Sequence, residues 1–226
     1  MKRPKKPRKP VPRRTASRAP VNRLVIFVKE PRMGSVKRRL AAAIGEGEAL
    51  RFYRRSLGVA LDLARDPRWR TAVAVIPDRA ARLRPRGIAT RKFETMPQGS
   101  GDLGARMARA FARFKPQPTV VIGSDIPDIR PGMIAGAFRR LRAADAVFGP
   151  ARDGGFWLVG LRSCVAAPRL FSNVRWSSAH ALSDVRRNFP RHARVAAVEM
   201  LEDVDDGASY RRWREAARRG QTARRG

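Results

Sequence analysis

The chain has 226 residues, of which 43% are hydrophobic, so it is long and apolar enough to bury the core of one sizeable α/β domain. Its single cysteine, Cys164, excludes an internal disulfide, and one cysteine with two histidines supplies too few ligands for a structural zinc site. No run approaches the roughly 20 apolar residues of a membrane span, so we expect a cytoplasmic protein.

The formal net charge of +31 is densest at the two ends of the chain, although residues 21–210 also carry a surplus of 16 basic side chains. Residues 1–20 hold nine Lys and Arg, no acid and five prolines, and residues 211–226 hold seven Arg against one Glu. We therefore predict a disordered basic tail at 1–20, a folded domain at 21–210 and a basic C-terminal tail at 211–226. Such tails favour weak contacts with polyanions or acidic membranes.

Hydrophobic periodicity predicts strands that alternate with helices along the domain. The predicted strands are 24–28, 71–76, 119–122, 146–148, 156–161 and 194–200. The predicted helices are 36–44, 46–64, 101–114, one that begins at Pro131, and one that is capped by Ser177 or Ser178 and runs to about Asn188. This alternation is typical of a single-domain, three-layer α/β/α sandwich with a mostly parallel sheet.

The loop after the first strand, KEPRMGSVKRRL at 29–40, is rich in cations. Its backbone N–H groups near Gly34, together with Lys29, Lys37 and Arg38, favour an anion cradle for a diphosphate. The loop is neither a Walker A loop nor a Rossmann G-x-G-x-x-G motif. A basic loop after a strand is also common without any ligand.

A glycine-rich segment, QGSGDLGARM at 98–107, precedes a predicted helix. Gly101 and its neighbours would let the backbone approach a ligand closely, beside Asp102 and Arg106. Alternatively, Asp102 simply caps the helix.

A buried-looking run, TVVIG at 119–123, ends on Ser124 and Asp125. Ligands of open α/β sheets bind outside the carboxyl ends of the strands, and a carboxylate there suits Mg²⁺ or Mn²⁺. The alternative is that Asp125 opens a turn and Asp128 helps to start the next helix.

Two further segments carry polar residues beside predicted strands. In GPARDGGFW at 149–157, Asp153, Gly154, Gly155 and Trp157, which we expect to be exposed, suit a sugar or another hydroxylated ring, although Asp-Gly-Gly also suits an ordinary hairpin turn. In EDVDD at 202–206, four carboxylates would repel one another unless a cation lies among them. That cation is either a divalent metal shared with Asp125 or the guanidinium groups of nearby arginines.

In this order the motifs resemble a family of uncharacterised bacterial glycosyltransferases with the GT-A nucleotide-diphosphosugar transferase fold. This family is related to the phospholactate and molybdenum-cofactor guanylyltransferases. The matching stretches, which span residues 23–206, are FVKEPRMGSVKRRLAAAIG, GSGDLGARMARAF, VVIGSDIPDI, GPARDGGFWLVGL and DVD. The family's usual Thr-Pro-Glu-Asp is replaced here by Asp206-Gly207-Ala208-Ser209, which leaves the start of the last helix open.

The resemblance implies a role for each motif. The 29–39 loop, the Asp102 segment and Ser124 would hold the nucleotide. Asp125 would be the principal metal ligand, with Asp205 or its neighbour Asp203 as the second.

The resemblance also implies a reaction. Asp125, Lys37 and Asp153 would be catalytic, and Asp153, Gly154, Gly155 and Trp157 would face the sugar or acceptor. The expected activity is transfer of a sugar from a nucleotide-sugar donor to a small acceptor with Mg²⁺ or Mn²⁺. A nucleotidyltransferase that uses a nucleoside triphosphate, and an inactive scaffold that binds nucleic acid through its tails, remain alternatives.

Overall fold

The computed structural model describes residues 21–82, 93–162 and 167–222. Its strands are β1 (Arg23–Lys29), β2 (Arg70–Ile76), β3 (Glu94–Pro97), β4 (Thr119–Gly123), β5 (Ala146–Pro150), β6 (Phe156–Leu161) and β7 (Val195–Ala197). Its helices are α1 (Arg38–Ile44), α2 (Glu46–Leu63), α3 (Asp78–Arg82), α4 (Leu103–Arg113), α5 (Pro131–Arg140), α6 (Ala167–Leu170), α7 (Ala181–Arg187) and α8 (Gly207–Thr222). Cys164 and the tail predicted at 1–20 lie outside the described residues.

The seven strands form one sheet in the order β3-β2-β1-β4-β6-β5-β7. Every neighbouring pair is parallel except the two that involve β6, which runs antiparallel to both β4 and β5. The predicted mostly parallel sheet is therefore confirmed. Because β1 and β4 are adjacent and parallel, with Phe27 opposite Gly123, the loops that follow them meet at one edge.

Alternate residues of β1 enter two different cores, as the twofold repeat of a strand requires. Leu24 and Ile26 pack on one face in a cluster with residues of α2 and α5, and Val25 packs on the other face with residues of α4, α6 and α7. Helices thus cover both faces of the sheet, which confirms the three-layer α/β/α sandwich. Within the described ranges, no helix is long and apolar enough to cross a membrane.

Helix α4 begins at Leu103 rather than at residue 101, and two other helices also begin later than the sequence predicts. Residue 37 adopts a left-handed conformation, with φ of 48° and ψ of 47°, so α1 begins at Arg38 rather than at residue 36. Ser177 has φ of 58°, and α7 begins at Ala181 with His180 at its N-cap position. At both places a positive φ interrupts the turn where periodicity alone would start a helix.

The last helix, α8, runs across the domain boundary predicted at residue 210. Its Trp213 ring lies 5.1 Å from the Phe52 ring of α2, and the Tyr210 ring lies 5.5 Å from the same ring. These aromatic contacts join a small third core that includes Leu40 and Val204. Residues 211–222 therefore belong to the fold, and residues 223–226 lie outside the described ranges.

Candidate functional site

A pocket with a volume of about 890 Å³ opens at the carboxyl ends of β1 and β4. We call it the catalytic-edge pocket. It brings together most of the residues that the sequence singled out, and these lie in five separate segments of the chain. The predicted residues that line it are Lys29, Lys37, Arg38, Arg106, Ser124, Asp125, Asp153, Gly155, Trp157 and Asp205.

Lys37 is the centre of the polar half of the pocket. Its side chain is 4% exposed, and its ammonium group donates to Asp125 Oδ2 at 3.0 Å and to Asp205 Oδ1 at 2.6 Å. Burial by itself lowers the pKa of Lys37, but the two carboxylates outweigh burial and raise it. The left-handed backbone at this residue is the local feature that precedes α1.

Asp203 and Asp205 have opposite pKa shifts although they are two residues apart. The pKa of Asp203 is raised to about 6, first by burial and then by the negative charges of Asp205, Asp153 and Asp125. Burial also acts to raise the pKa of Asp205, but Lys37 outweighs it and the net shift is downward. The pocket thus holds more negative charge than Lys37 compensates.

Tyr53, a residue of α2 that the sequence analysis did not single out, joins the ends of β1 and β4. Its hydroxyl donates to the Lys29 carbonyl oxygen at 2.7 Å, accepts from the Lys29 N–H at 2.9 Å and lies 3.1 Å from Ser124 Oγ. Burial raises the pKa of Tyr53 to about 12, so the phenol stays neutral. Because a buried tyrosine hydroxyl needs a polar partner, a tyrosine within the apolar pattern of the predicted helix 46–64 was the available signal.

The carboxylates suit a hard divalent cation that also binds a phosphate group. Within the described parts of the chain, no group of three or more His, Cys, Asp or Glu side chains is arranged to hold a metal ion. Asp125 and Asp205 offer two carboxylates, with the Lys37 ammonium between them. Mg²⁺ is usually held by one or two carboxylates together with substrate phosphates, and this donor set fits that pattern.

Four predicted site residues do not line the pocket: Gly34, Gly101, Asp102 and Gly154. Asp102 caps α4 by accepting from the Ala105 N–H at 2.8 Å, which is the alternative that the sequence left open. Gly101 accepts from Arg106 Nε through its carbonyl oxygen at 2.9 Å. Their contacts in the structure are therefore with the start of α4.

The turn before β6 differs from the predicted sugar platform. Trp157 was expected to be exposed, but it is 3% exposed, and its indole N–H donates to the Glu199 carbonyl oxygen at 3.0 Å. That expectation is wrong, because the ring packs over Gly149, where a side chain would overlap it. Asp153 accepts from the Gly155 N–H at 2.9 Å and remains exposed at the pocket.

An apolar wall that sequence reasoning missed lines the other half of the pocket. Leu103 and Met107 of α4 face this region together with Phe156 and Trp176. Leu103 is 43% exposed, and the buried Trp176 Nε1 has no hydrogen-bond partner among the described residues. The pocket therefore combines a charged half at the strand ends with an apolar half beside α4.

The loop that carries Trp176 is held by a buried carboxylate. Asp184, with a side chain 6% exposed, accepts from Arg175 Nε and Nη2, both at 2.8 Å, and also pairs with Arg187. Hydrogen bonds from Arg175 hold the pKa of Asp184 well below its usual range. This ion-pair cluster fixes one side of the pocket mouth.

Comparison with known proteins places the chain in a family. It belongs to the family described as "Uncharacterized protein conserved in bacteria (DUF2064)", whose profile matches residues 59–178. No protein of curated function matches it. A crystal structure of a candidate nucleotide-diphospho-sugar transferase from Desulfovibrio desulfuricans G20 is 30% identical, covers 82% of each chain and gives a TM-score of 0.74.

More distant structures share the fold. Rv0371C from Mycobacterium tuberculosis H37Rv, solved in complex with manganese, is 19% identical, covers 85% of this chain and 97% of its own, and gives a TM-score of 0.51. CMP:2-keto-3-deoxy-manno-octonic acid synthetase complexed with CTP is 11% identical, covers 88% and 99%, and gives a TM-score of 0.52. The chain thus has the nucleotide-diphosphosugar transferase fold that its motifs predicted.

Proposed function

We propose that this protein is a glycosyltransferase that uses a nucleotide-sugar donor with Mg²⁺ or Mn²⁺ and passes the sugar to a small acceptor. The observation that carries this proposal is the cluster of Lys37, Asp125 and Asp205 at the carboxyl ends of β1 and β4. The relative from Desulfovibrio desulfuricans, described as a candidate nucleotide-diphospho-sugar transferase, supports the same class of donor.

The donor diphosphate would lie against the cations of the 29–39 loop. Lys29, Lys37, Arg38 and Arg39 all line the pocket and supply positive charge on one side of it. Asp125 and Asp205 are the residues that would hold the divalent cation. When bound, that cation would neutralise the negative charge that develops on the leaving diphosphate.

In the transfer step the acceptor hydroxyl oxygen forms a bond to the anomeric carbon of the sugar. The bond from that carbon to the diphosphate oxygen breaks, and its electron pair leaves with the nucleoside diphosphate. Asp153, which is exposed at the pocket, would accept the hydroxyl proton or hold the hydroxyl by a hydrogen bond. The apolar wall beside α4 would exclude water from the reacting atoms.

Nucleotidyl transfer is the second candidate. Among the described residues, the five cations that line the pocket could also contact the phosphates of a nucleoside triphosphate, whose negative charge exceeds that of a diphosphate ester: Lys29, Lys37, Arg38, Arg39 and Arg106. In this reaction a phosphate oxygen of the substrate attacks the α-phosphorus, and pyrophosphate leaves with the electron pair of the broken P–O bond. The cluster of Lys37 and two carboxylates suits either leaving group.

The two candidates differ in the product that they release. The full-length protein is incubated with a panel of nucleotide sugars or nucleoside triphosphates, Mn²⁺ or Mg²⁺, and a mixture of small hydroxylated and phosphorylated acceptors. Metal-dependent release of a nucleoside diphosphate from a nucleotide sugar supports glycosyl transfer, and release of pyrophosphate supports nucleotidyl transfer. Asp125→Asn should abolish release, whereas the matched variant of an exposed carboxylate, Asp62→Asn, should not. Failure of the wild type to release either product contradicts both candidates.

A further inference from the structure

A second concave site lies between α2 and α8 and shares no lining residue with the catalytic-edge pocket. Its volume is about 550 Å³, within the range of ligand-binding clefts. We call it the α2–α8 groove. Phe52 lines this groove, whereas the next residue, Tyr53, lines the catalytic-edge pocket, so the two sites meet different sides of α2.

Positive charge dominates the groove. The arginines that line it are Arg51, Arg55, Arg214 and Arg218, against Glu48 as the one lining carboxylate among the described residues. Glu48 pairs with Arg51. Asp128 is nearby, but burial raises its pKa, with Trp213 and Arg55 acting in the opposite direction. The guanidinium groups thus exceed the carboxylates around this site.

Two of these guanidinium groups rest on aromatic rings. The Arg55 guanidinium carbon lies 5.3 Å from the centre of the Trp213 ring, and that of Arg214 lies 5.8 Å from the centre of the Tyr210 ring. Each arginine also interacts electrostatically with one nearby carboxylate, Arg55 with Asp128 and Arg214 with Glu48. A guanidinium that stacks on a ring still donates from its edge in a fixed plane, which matches the oxygens of a phosphate.

We propose that the α2–α8 groove binds the sugar–phosphate backbone of single-stranded nucleic acid. Arginine donors favour phosphate, and the ring faces already carry guanidinium groups, so binding would not depend on base identity. The formal charge of +31 adds long-range attraction for a polyanion.

Shape favours this occupant over two others. A flexible strand can enter a concave groove, whereas a duplex is stiff and a bilayer surface is flat. Arg214 and Arg218 also lie one helical turn apart on α8, about 6 Å along its axis. A row of donors with this spacing can follow consecutive phosphates of an extended strand.

The test is binding of a fluorescent single-stranded homopolymer, such as oligo-dT or oligo-U, measured by anisotropy on the full-length chain. The groove variant is Arg55→Ala/Arg214→Ala, with Arg55→Gln/Arg214→Gln as a milder second pair. The control is Arg169→Ala/Arg186→Ala, which removes the same charge from exposed arginines of α6 and α7 on the opposite face of the sheet. Melting temperatures check that each variant folds.

The groove variants should bind the oligonucleotide at least tenfold more weakly than the control. The slope of log K against log salt should fall in magnitude by about 1.4, since each phosphate contact on a single strand contributes about 0.7. Equal affinities for groove and control variants would overturn the proposal in favour of diffuse binding. The proposal would also be overturned if inorganic triphosphate displaced the strand at a concentration similar to that of the oligonucleotide. It would likewise be overturned if the groove variants lost binding to anionic vesicles but kept their binding to the oligonucleotide. Metal-dependent nucleotide binding at the catalytic-edge pocket should not change in the groove variants. A failure of the groove proposal can therefore be distinguished from a failure of the proposed function.

Discussion

Lys37 contacts carboxylates that lie 88 and 168 residues away in the sequence. Periodicity placed this residue at the start of a helix and its charge placed it in an anion cradle. Neither signal revealed that the ammonium group would lie between Asp125 and Asp205. That position depends on the pairing of β1 with β4 and on the left-handed backbone at residue 37.

Replacing Lys37 should separate its two effects on the pocket. In Lys37→Met, Asp125 and Asp205 lose their shared cation, so Mn²⁺ should bind the nucleotide-free protein about tenfold more tightly, which corresponds to about 1.4 kcal/mol. Binding of the nucleotide in the presence of Mn²⁺ should weaken, because a phosphate partner is lost. Electron paramagnetic resonance of free Mn²⁺ measures the first effect, and Lys115→Met, at an exposed lysine, is the control. Weaker Mn²⁺ binding in Lys37→Met would contradict the prediction.

Asp184 should make stability depend on pH in a defined direction. The pKa of Asp184 in the folded protein lies below the value of about 3.9 expected in the unfolded chain. The ionised carboxylate therefore stabilises the folded state at pH values above about 3.9, and this stabilisation is lost as the pH falls towards the pKa of the folded protein. Asp184→Asn should therefore lower the melting temperature at pH 7, and its difference from the wild type should shrink towards pH 3. Melting scans from pH 3 to pH 8 test this. A difference that is constant with pH would show that the carboxylate charge is unimportant.

At the scale of the element, local signals predicted where most strands and helices lie. Gly45 ends α1 with φ of 83°, and Pro131 occupies the first turn of α5, both as the sequence indicated. The short β3 was missed, because its four residues lack a run of β-branched side chains. The antiparallel pairing of β5 with β6 agrees with the hairpin turn that Asp-Gly-Gly allowed, whereas the antiparallel pairing of β6 with β4 was missed, since it is set by the assembled sheet.

The turn before β6 depends on a glycine that a side chain cannot replace. Gly154 has φ of 85°, and an added Cβ would overlap the Ala179 carbonyl oxygen. Gly154→Ala should lower the free energy of unfolding by at least about 2 kcal/mol. The matched control is Gly58→Ala in α2, where space is open and helix propensity should stabilise by about 0.5–1 kcal/mol. Urea denaturation compares them, and equal effects of the two substitutions would contradict the account of the turn.

Helix α8 was assigned in part to a basic tail because arginine dominates its composition. The contrary signal was the pair of aromatic residues, Tyr210 and Trp213, three positions apart on one helical face. Since the Trp213 ring is half-buried against Phe52, Trp213→Ala should cost about 1–3 kcal/mol of unfolding free energy. Urea denaturation with Met200→Ala, at a residue 57% exposed, as the control tests this prediction. An unchanged free energy of unfolding in Trp213→Ala would instead support the basic tail predicted from residue 211.

At the scale of the whole molecule, the alternation of strands and helices was enough to predict the three-layer sandwich. The family resemblance, rather than this alternation, implied that the polar segments after β1 and β4 share one site. In the structure these segments meet because the two strands are parallel neighbours that end at the same edge of the sheet. Neither signal predicted the apolar wall of Leu103, Met107 and Trp176, because these residues come from segments whose packing depends on the complete fold. Charge was the least informative property, since a net +31 fits both the nucleotide pocket and the α2–α8 groove.

In the proposed function, the catalytic-edge pocket binds a nucleotide together with a divalent cation through Asp125. The most direct measurement is the thermal shift produced by nucleotide sugars and nucleoside triphosphates, each with and without Mn²⁺ or Mg²⁺. A ligand at 100 times its Kd adds about 2.7 kcal/mol to the stability of the folded state. We expect a metal-dependent rise in melting temperature for the wild type and for Asp62→Asn, and none for Asp125→Asn. An equal rise in Asp125→Asn, or no rise with any nucleotide in the wild type, would contradict the proposed function.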